Sequence, residues 1–328
     1  MTQLTHSRRK MLIASVSAGL CALVHAESSK AAEVVRIIVG FPPGQATDIV
    51  ARLLAEKLQT ITGDNYIVDN RPGQGGSIAM GLTAKSPGDG TIMMLTHMSA
   101  VATNPHLYKS VRYDSINDFE AVGLVCDLPF VLVCHPSQPF TNIQELISFA
   151  KNHPGKLTHA SSGNGTVSHL AMEEFKRQVG IDLLHVPYKG SAPGLTDVVA
   201  GQVSLALETA AGVQPFVKSG QLRALATATP KRLSGMPDVP TTAEQGFADF
   251  LAATWLMLIY PHGTPGPRIT ATFDALSTAM RTPDVSTKLS QIGAIVRTST
   301  SPQEAAAYIR SEYDNWGDVV KRSGVSLE

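Results

Sequence analysis

Four stretches of this sequence set glycine and small polar residues between an apolar run and a helical pattern, an arrangement suited to holding an anion. The first runs from Gly40 to Asp48 and contains Phe41, Pro42, Pro43, Gly44, Gln45, Ala46 and Thr47. A helix beginning there offers unpaired backbone N–H groups and a partial positive charge, so no basic side chain is required. Gly44 permits close backbone approach, and the prolines stiffen the loop and lower the ordering cost of binding. The second stretch is Ser161, Ser162, Gly163, Asn164, Gly165 and Thr166, whose hydroxyls and amide can bond a carboxylate or its waters. Tyr188 to Ala192, with Gly190 and Ser191, forms a third, and Gly73, Gly75, Gly76 and Ser77 a fourth. Any one of these also reads as an ordinary helix cap. Several together, in two groups along the chain, read as a cage for a small anion.

Catalytic chemistry is not advertised. No Walker loop, zinc-protease helix, nucleophile elbow or dinucleotide fingerprint occurs, and no cofactor is expected. Histidines 97, 106, 135, 153, 159, 169, 185 and 262 show no metal-ligand spacing. His169, in the first turn of a helix, reads as a packing or capping residue, while Ser162 with His169 is the pair a periplasmic hydrolase or isomerase would use. Asp48 either complements a helix dipole or contacts the distal end or amine of a ligand. Glu208, ending the run VSLAL, is either a cleft carboxylate or a strand-end charge. Trp255 and Trp316 read as core.

The elements that position these loops alternate. VVRIIVGF, TDIVARLLAEKLQT, NYIVDN, SIAMGLTAKS and TIMMLT read as strand, helix, strand, helix, strand, with Ile49, Val50, Leu53, Leu54 and Leu58 on one helical stripe. A second group from AVGLVC and FVLVCH to LRALATA repeats the alternation, so the class is α/β with a mostly parallel sheet covered on both sides and a second domain of the same kind. Beyond Pro237 come the apolar TWLMLIY, a helix near Pro267 to Met280, and a last helix near Pro302 to Lys321. That helix has Ser301 as N-cap, Glu304 three residues on and Gly324 beyond.

With 328 residues, 43% hydrophobic and 16% charged, the chain is long enough for two folded domains. Its 27 basic and 27 acidic residues create no field that would recruit nucleic acid. Arg8, Arg9 and Lys10 precede an apolar stretch from Met11 to Val24 and the small Ala26, which predicts a secretory signal over residues 1–26, with either an ordinary or a twin-arginine route. Leu20 before Cys21 argues against a lipid anchor. Removing those three basic residues leaves the exported chain with a net charge of minus three. Cys126 and Cys134 would then sit in an oxidising compartment, where they read either as a hairpin disulfide across Asp127-Leu128-Pro129 or as two small buried hydrophobes on neighbouring strands.

The first loop, with DNRPGQGGSIA, HASSGNGTVSHLA and HVPYKGSAPGLTDVVAGQV, resembles the Bug family of periplasmic solute-binding proteins, the receptors of tripartite tricarboxylate transporters. DVPTTAEQGF and SPQEAAAYIRSEYDNWGDVVK are similar to the family's segments, and the likeness covers about residues 33–324. It implies a two-lobed periplasmic-binding-protein fold of type II that closes on a small carboxylate in the interlobe cleft. Residues 33–128 and 235–328 would form the first lobe and 129–234 the second. It also implies a receptor, expected to be monomeric, that delivers its ligand to membrane transporter subunits, or a ligand-sensing subunit on the same lobes. The ligand would be held by the loops Phe41 to Asp48, Ser161 to Thr166 and Tyr188 to Ala192, through main-chain amides and ordered water. Gln45 replaces a glycine usual in the family, and Glu208-Thr209 stands where an acidic residue followed by asparagine is usual.

Overall fold

The computed structural model describes residues 32–323, so the expected export signal and Gly324 lie outside the described residues. The first half of the sheet contains β1 (Val34–Val39), β2 (Asn65–Asn70) and β3 (Ile92–His97), all parallel, with β2 and β3 on either side of β1. Beside β3 lies antiparallel β9 (Ala253–Pro261), then β4 (Phe119–Cys134), and β10 (Ile295–Val296) pairs with β4 in turn. In the second half, β5 (Thr158–Ser161) lies parallel between β6 (Leu184–Pro187) and β7 (Leu205–Thr209). Antiparallel β4 follows β7, and β8 (Arg223–Thr227) completes the half. Both halves therefore share one plan of three parallel strands, one antiparallel strand arriving from the other half, and a fifth strand. No sequence repeat announces that plan.

Strand β4 is where the sequence reading and the structure part. AVGLVC and FVLVCH are one strand of 16 residues, not two. Its register passes from β9 to β7 and β8 between Pro129 and Phe130, so the missing proline N–H falls at the changeover rather than inside a ladder. Cys126 and Cys134 are free, buried and eight residues apart on that strand, about 26 Å in extended chain, which rules out a bond between them. They are buried hydrophobes, as one reading had it, though not on neighbouring strands.

Helices cover both faces. They are α1 (Ala46–Thr62), α2 (Ser77–Ala84), α3 (Asn104–Leu107), α4 (Ile143–Asn152), α5 (Val167–Val179), α6 (Ser191–Val199), α7 (Ala210–Lys218), α8 (Gly266–Met280), α9 (Pro283–Gln291) and α10 (Pro302–Ser323). The stripe of α1 buries Val50, Leu53, Leu54 and Leu58 against β1 and β3, each worth about 1.5–3 kcal/mol. The helix stops at Gly63, whose left-handed φ of 79° lets its N–H bond the Gln59 carbonyl. Ser301 caps α10 as expected, its Oγ accepting from Glu304 N at 3.1 Å. Trp255 is buried and Trp316 is packed at the core's edge. Helix α9 and the π-helical turn Ser99–Thr103 went unforeseen.

Candidate ligand-binding site

Four helices begin at one point between the two halves. The first residues of α1 (Ala46, Thr47), α5 (Val167, Ser168) and α6 (Ser191), and Thr209 before α7, all line a cavity of about 40 Å³. None of the four N-cap residues, Gln45, Thr166, Gly190 and Thr209, caps its helix with a side-chain hydrogen bond to the first-turn backbone. The first-turn N–H groups thus lack the side-chain acceptor that Ser, Thr, Asp or Asn supplies elsewhere. The remaining wall is Phe41, His97, Ser99, Leu128, Phe130, Ser162, Glu208 and Thr254, with no lysine or arginine.

Gln45 reaches across this space. It is only 5% exposed, and a Cβ on Gly190 would collide with its amide. Its Nε2 is a buried donor without a partner, and Thr254 Oγ1 and His97 Nε2 are likewise buried polar atoms of the wall with no hydrogen-bond partner. The cavity therefore presents unmet hydrogen-bonding capacity, which in a folded protein is satisfied by water or a ligand. Burial pushes His97 down to about 3, so the ring beside Phe41 is neutral.

Two buried carboxylates flank these helix starts, and they behave oppositely. Asp48, 2% exposed, accepts from Gly44 N at 2.8 Å, Arg52 Nε at 3.0 Å and Asn70 Nδ2 at 3.0 Å, with Arg52 also 2.9 Å from its other oxygen. Burial opposes its charge, but these bonds hold it below the ordinary value. Asp48 thereby closes its own loop. Glu208, 3% exposed, accepts from Ser162 Oγ at 2.5 Å, and burial pushes its carboxyl up to about 7 against the hydrogen bonds from Ser162 and Ser168.

The halves also touch outside the cavity. Tyr108 Oη donates to the Asn164 carbonyl at 2.8 Å and Thr103 Oγ1 to the Gly165 carbonyl at 3.0 Å. Asn104 Nδ2 bonds Gln74 O, Gly75 O and Ser77 Oγ, fixing the loop that carries Gly73, Gly75 and Gly76. A groove of about 240 Å³ runs outward from Phe41 and Ser162 past Gly163, Asn164, Tyr188 and Gly190.

Of the residues singled out by sequence, Phe41, Gln45, Ala46, Ser162, Thr166, Ser191 and Glu208 meet at the cavity. Gly163, Asn164, Tyr188 and Gly190 line the groove, and Tyr188 Oη bonds Asp197 at 2.5 Å. Gly44, Asp48, Ser161 and Ala192 line neither. Ser161 Oγ instead sits 2.7 Å from His185 Nε2, behind the loop, where His185 stacks between His159 at 4.8 Å and His169 at 4.0 Å. His169 Nδ1 accepts from Gly165 N at 3.2 Å, the capping role foreseen for it. Ser162 Oγ donates to Glu208 and His169 Nδ1 accepts from Gly165 N, so the hydroxyl and imidazole of the Ser162–His169 pair are each engaged elsewhere. Sequence reasoning missed Ser99, Thr254 and the role of His97, because residues so far apart in the chain share no local pattern.

Two α/β lobes with helix starts facing the space between them are the architecture of the periplasmic solute-binding proteins this chain is similar to in structure. This chain belongs to the tripartite tricarboxylate transporter receptor family, whose model matches residues 50–325. Protein BugT of Bordetella pertussis is 34% identical over 313 residues, 95% of either chain. Among solved structures, Rpa4515 of R. palustris with adipate is 34% identical with a TM-score of 0.84, covering 90% of this chain and 98% of that one. MatC of Rhodopseudomonas palustris with bound malate is 30% identical with a TM-score of 0.81, covering 88% and 99%. Among the described residues no helix is long and apolar enough to cross a membrane.

Proposed function

We propose that the protein captures a small organic carboxylate between its lobes in the periplasm and presents it to the membrane subunits of a tripartite transporter. One observation carries the reading: four helix N-termini, none capped by its N-cap side chain, converge on a cavity lined by no lysine or arginine. Such ends favour an anion, and they come from both halves, so the ligand stabilises the closed form by touching both. Relatives solved with adipate and malate support the ligand class. No catalytic step is assigned to the site.

The lobes of this reading are 33–128 with 235–328, against 129–234. Gln245 bonds Ile143 N and Leu225 O, and Phe250 packs on Phe175, which favours drawing the return to the first lobe later, just before β9. Calorimetric titration of the exported chain, unfolded and refolded to free it of copurified ligand, against aliphatic dicarboxylates, hydroxy acids and aromatic carboxylates tests the proposal. Saturable binding of at least one acid is expected. Heat of dilution alone across the panel would refute it.

A further inference from the structure

The cavity contains an electrostatic conflict. An entering carboxylate meets Glu208 at the same wall, and neither finds a lysine or arginine there. Glu208 accepts from Ser162 Oγ, and the elements packed on β7 bring no cation to the cavity. From β5 and α5 come His159, His169 and Glu173, of which His159 and His169 stack on either side of His185. Glu173 bonds Lys176 and lies 3.4 Å from His159 Nε2. Asp197 of α6 is bonded to Tyr188, and from β4 come Asp127, paired with Arg297, and the neutral Cys134. Lys218 ends α7 away from the cavity's wall, whose other titratable residue is His97. Two carboxylates sharing one site with no lysine or arginine disfavour each other's charge, which drives one of them toward taking a proton.

We propose that Glu208 is the group that takes it. The bound complex contains an ionised ligand carboxylate on the helix starts, and Glu208 as a neutral acid whose hydroxyl donates a hydrogen bond within the cavity. The ligand therefore enters together with one proton whenever Glu208 is ionised beforehand. The ligand class narrows accordingly, to carboxylates with an acceptor oxygen at the Glu208 end and no ammonium group. This rests on the receptor reading above. Burial already favours the neutral form, and a ligand anion a few ångströms away reinforces it.

The test is calorimetric titration with adipate, malate and glutamate from pH 6.5 to 8.5, each in two buffers of different ionisation enthalpy. For adipate or malate, affinity is expected to fall by about tenfold per pH unit above about pH 7, with uptake approaching one proton per ligand at the alkaline end. Glu208→Gln, whose amide also donates, should bind at pH 8.5 as tightly as the unaltered protein at pH 6.5, without proton uptake. Affinity independent of pH with no proton uptake would overturn the proposal and leave the receptor reading standing. So would glutamate binding that strengthens as pH rises, since an ionised Glu208 would then be pairing with its ammonium. Silence toward every acid at every pH would remove the receptor reading and this inference together.

Discussion

Asp48 and Glu208, one in each half of the molecule, expose almost no surface to solvent, but Glu208 lies deeper among protein atoms and has no cation beside it, and desolvation decides the charge of Glu208 alone. Asp48 has a bidentate arginine, an asparagine amide and a backbone N–H, and these outweigh the cost of desolvating it. Glu208 has serine hydroxyls and backbone N–H groups but no cation, and there desolvation wins. The difference teaches that solvent exposure alone says little about ionisation. What matters is whether a formal positive charge is within reach. The first half spends its carboxylate on holding a loop in shape, and the second keeps one at the cavity's wall.

The strongest way to break this comparison is to remove the Glu208 titration. Its folded value is raised, so its contribution to stability is complete below about pH 4.5 and is lost as pH rises through about 7. For the ligand-free protein that loss is on the order of 3 kcal/mol. Glu208→Gln should therefore gain on the unaltered protein as pH rises from 5 to 8, by denaturant unfolding, and level off beyond. Parallel curves would mean Glu208 finds a counter-ion in solution.

Asp48→Ala sharpens the other side. It strands Gly44 N, leaves Asn70 Nδ2 with only its bond to Phe41 O, and releases Arg52, whose side chain is 55% exposed and returns to water cheaply. A loss of about 2 kcal/mol at neutral pH is expected. Asp48 has a depressed value, so its contribution is present above its ordinary 3.8 and disappears as pH falls below it. Variant and unaltered protein should differ equally at pH 5 and pH 8 and converge in acid. The two carboxylates would thus be told apart by their pH windows alone.

Gly44 and Gly190 extend the contrast to the backbone. Both have positive φ, 81° and 111°. Around Gly44 the space for a Cβ is open, so the conformation alone requires glycine, whereas at Gly190 the Gln45 amide also fills the space. The sequence suggested that a branched side chain at Gly44 would obstruct a ligand's approach to the backbone. The structure adds a cost of its own, backbone strain. Gly44→Val should cost about 1–2 kcal/mol of stability, and Gly44→Asn distinctly less, by thermal unfolding.

How much of this could be read from the residues differs between the two halves of the argument. Strand and helix alternation was legible because apolar periodicity is local, and the glycine junctions because few residues tolerate positive φ. The single β4 was not: Asp127-Leu128-Pro129 looks like a turn, and only tertiary pairing explains why a proline is harmless at that point. The roles of Asp48 and Glu208 were equally hidden. Each was visible as an acid at an element's end, but Asp48's partner Asn70 lies 22 residues away and Ser162 lies 46 from Glu208.

The smallest expected effect concerns the contacts that join the halves rather than either acid. Tyr108→Phe removes one hydrogen bond to Asn164 O, a partly solvated one, so it should cost the closed form about 1 kcal/mol. Separation of the halves, as the proposed receptor requires, would break that bond, so the mutation would leave the open form unaffected. Ligand affinity should therefore drop about fivefold while the pH windows of Asp48 and Glu208 remain where they were. Titration calorimetry reads the first and unfolding curves the second. A drop in affinity accompanied by a shifted Glu208 window would mean that closure itself desolvates the acid, tying its protonation to the motion as well as to the ligand.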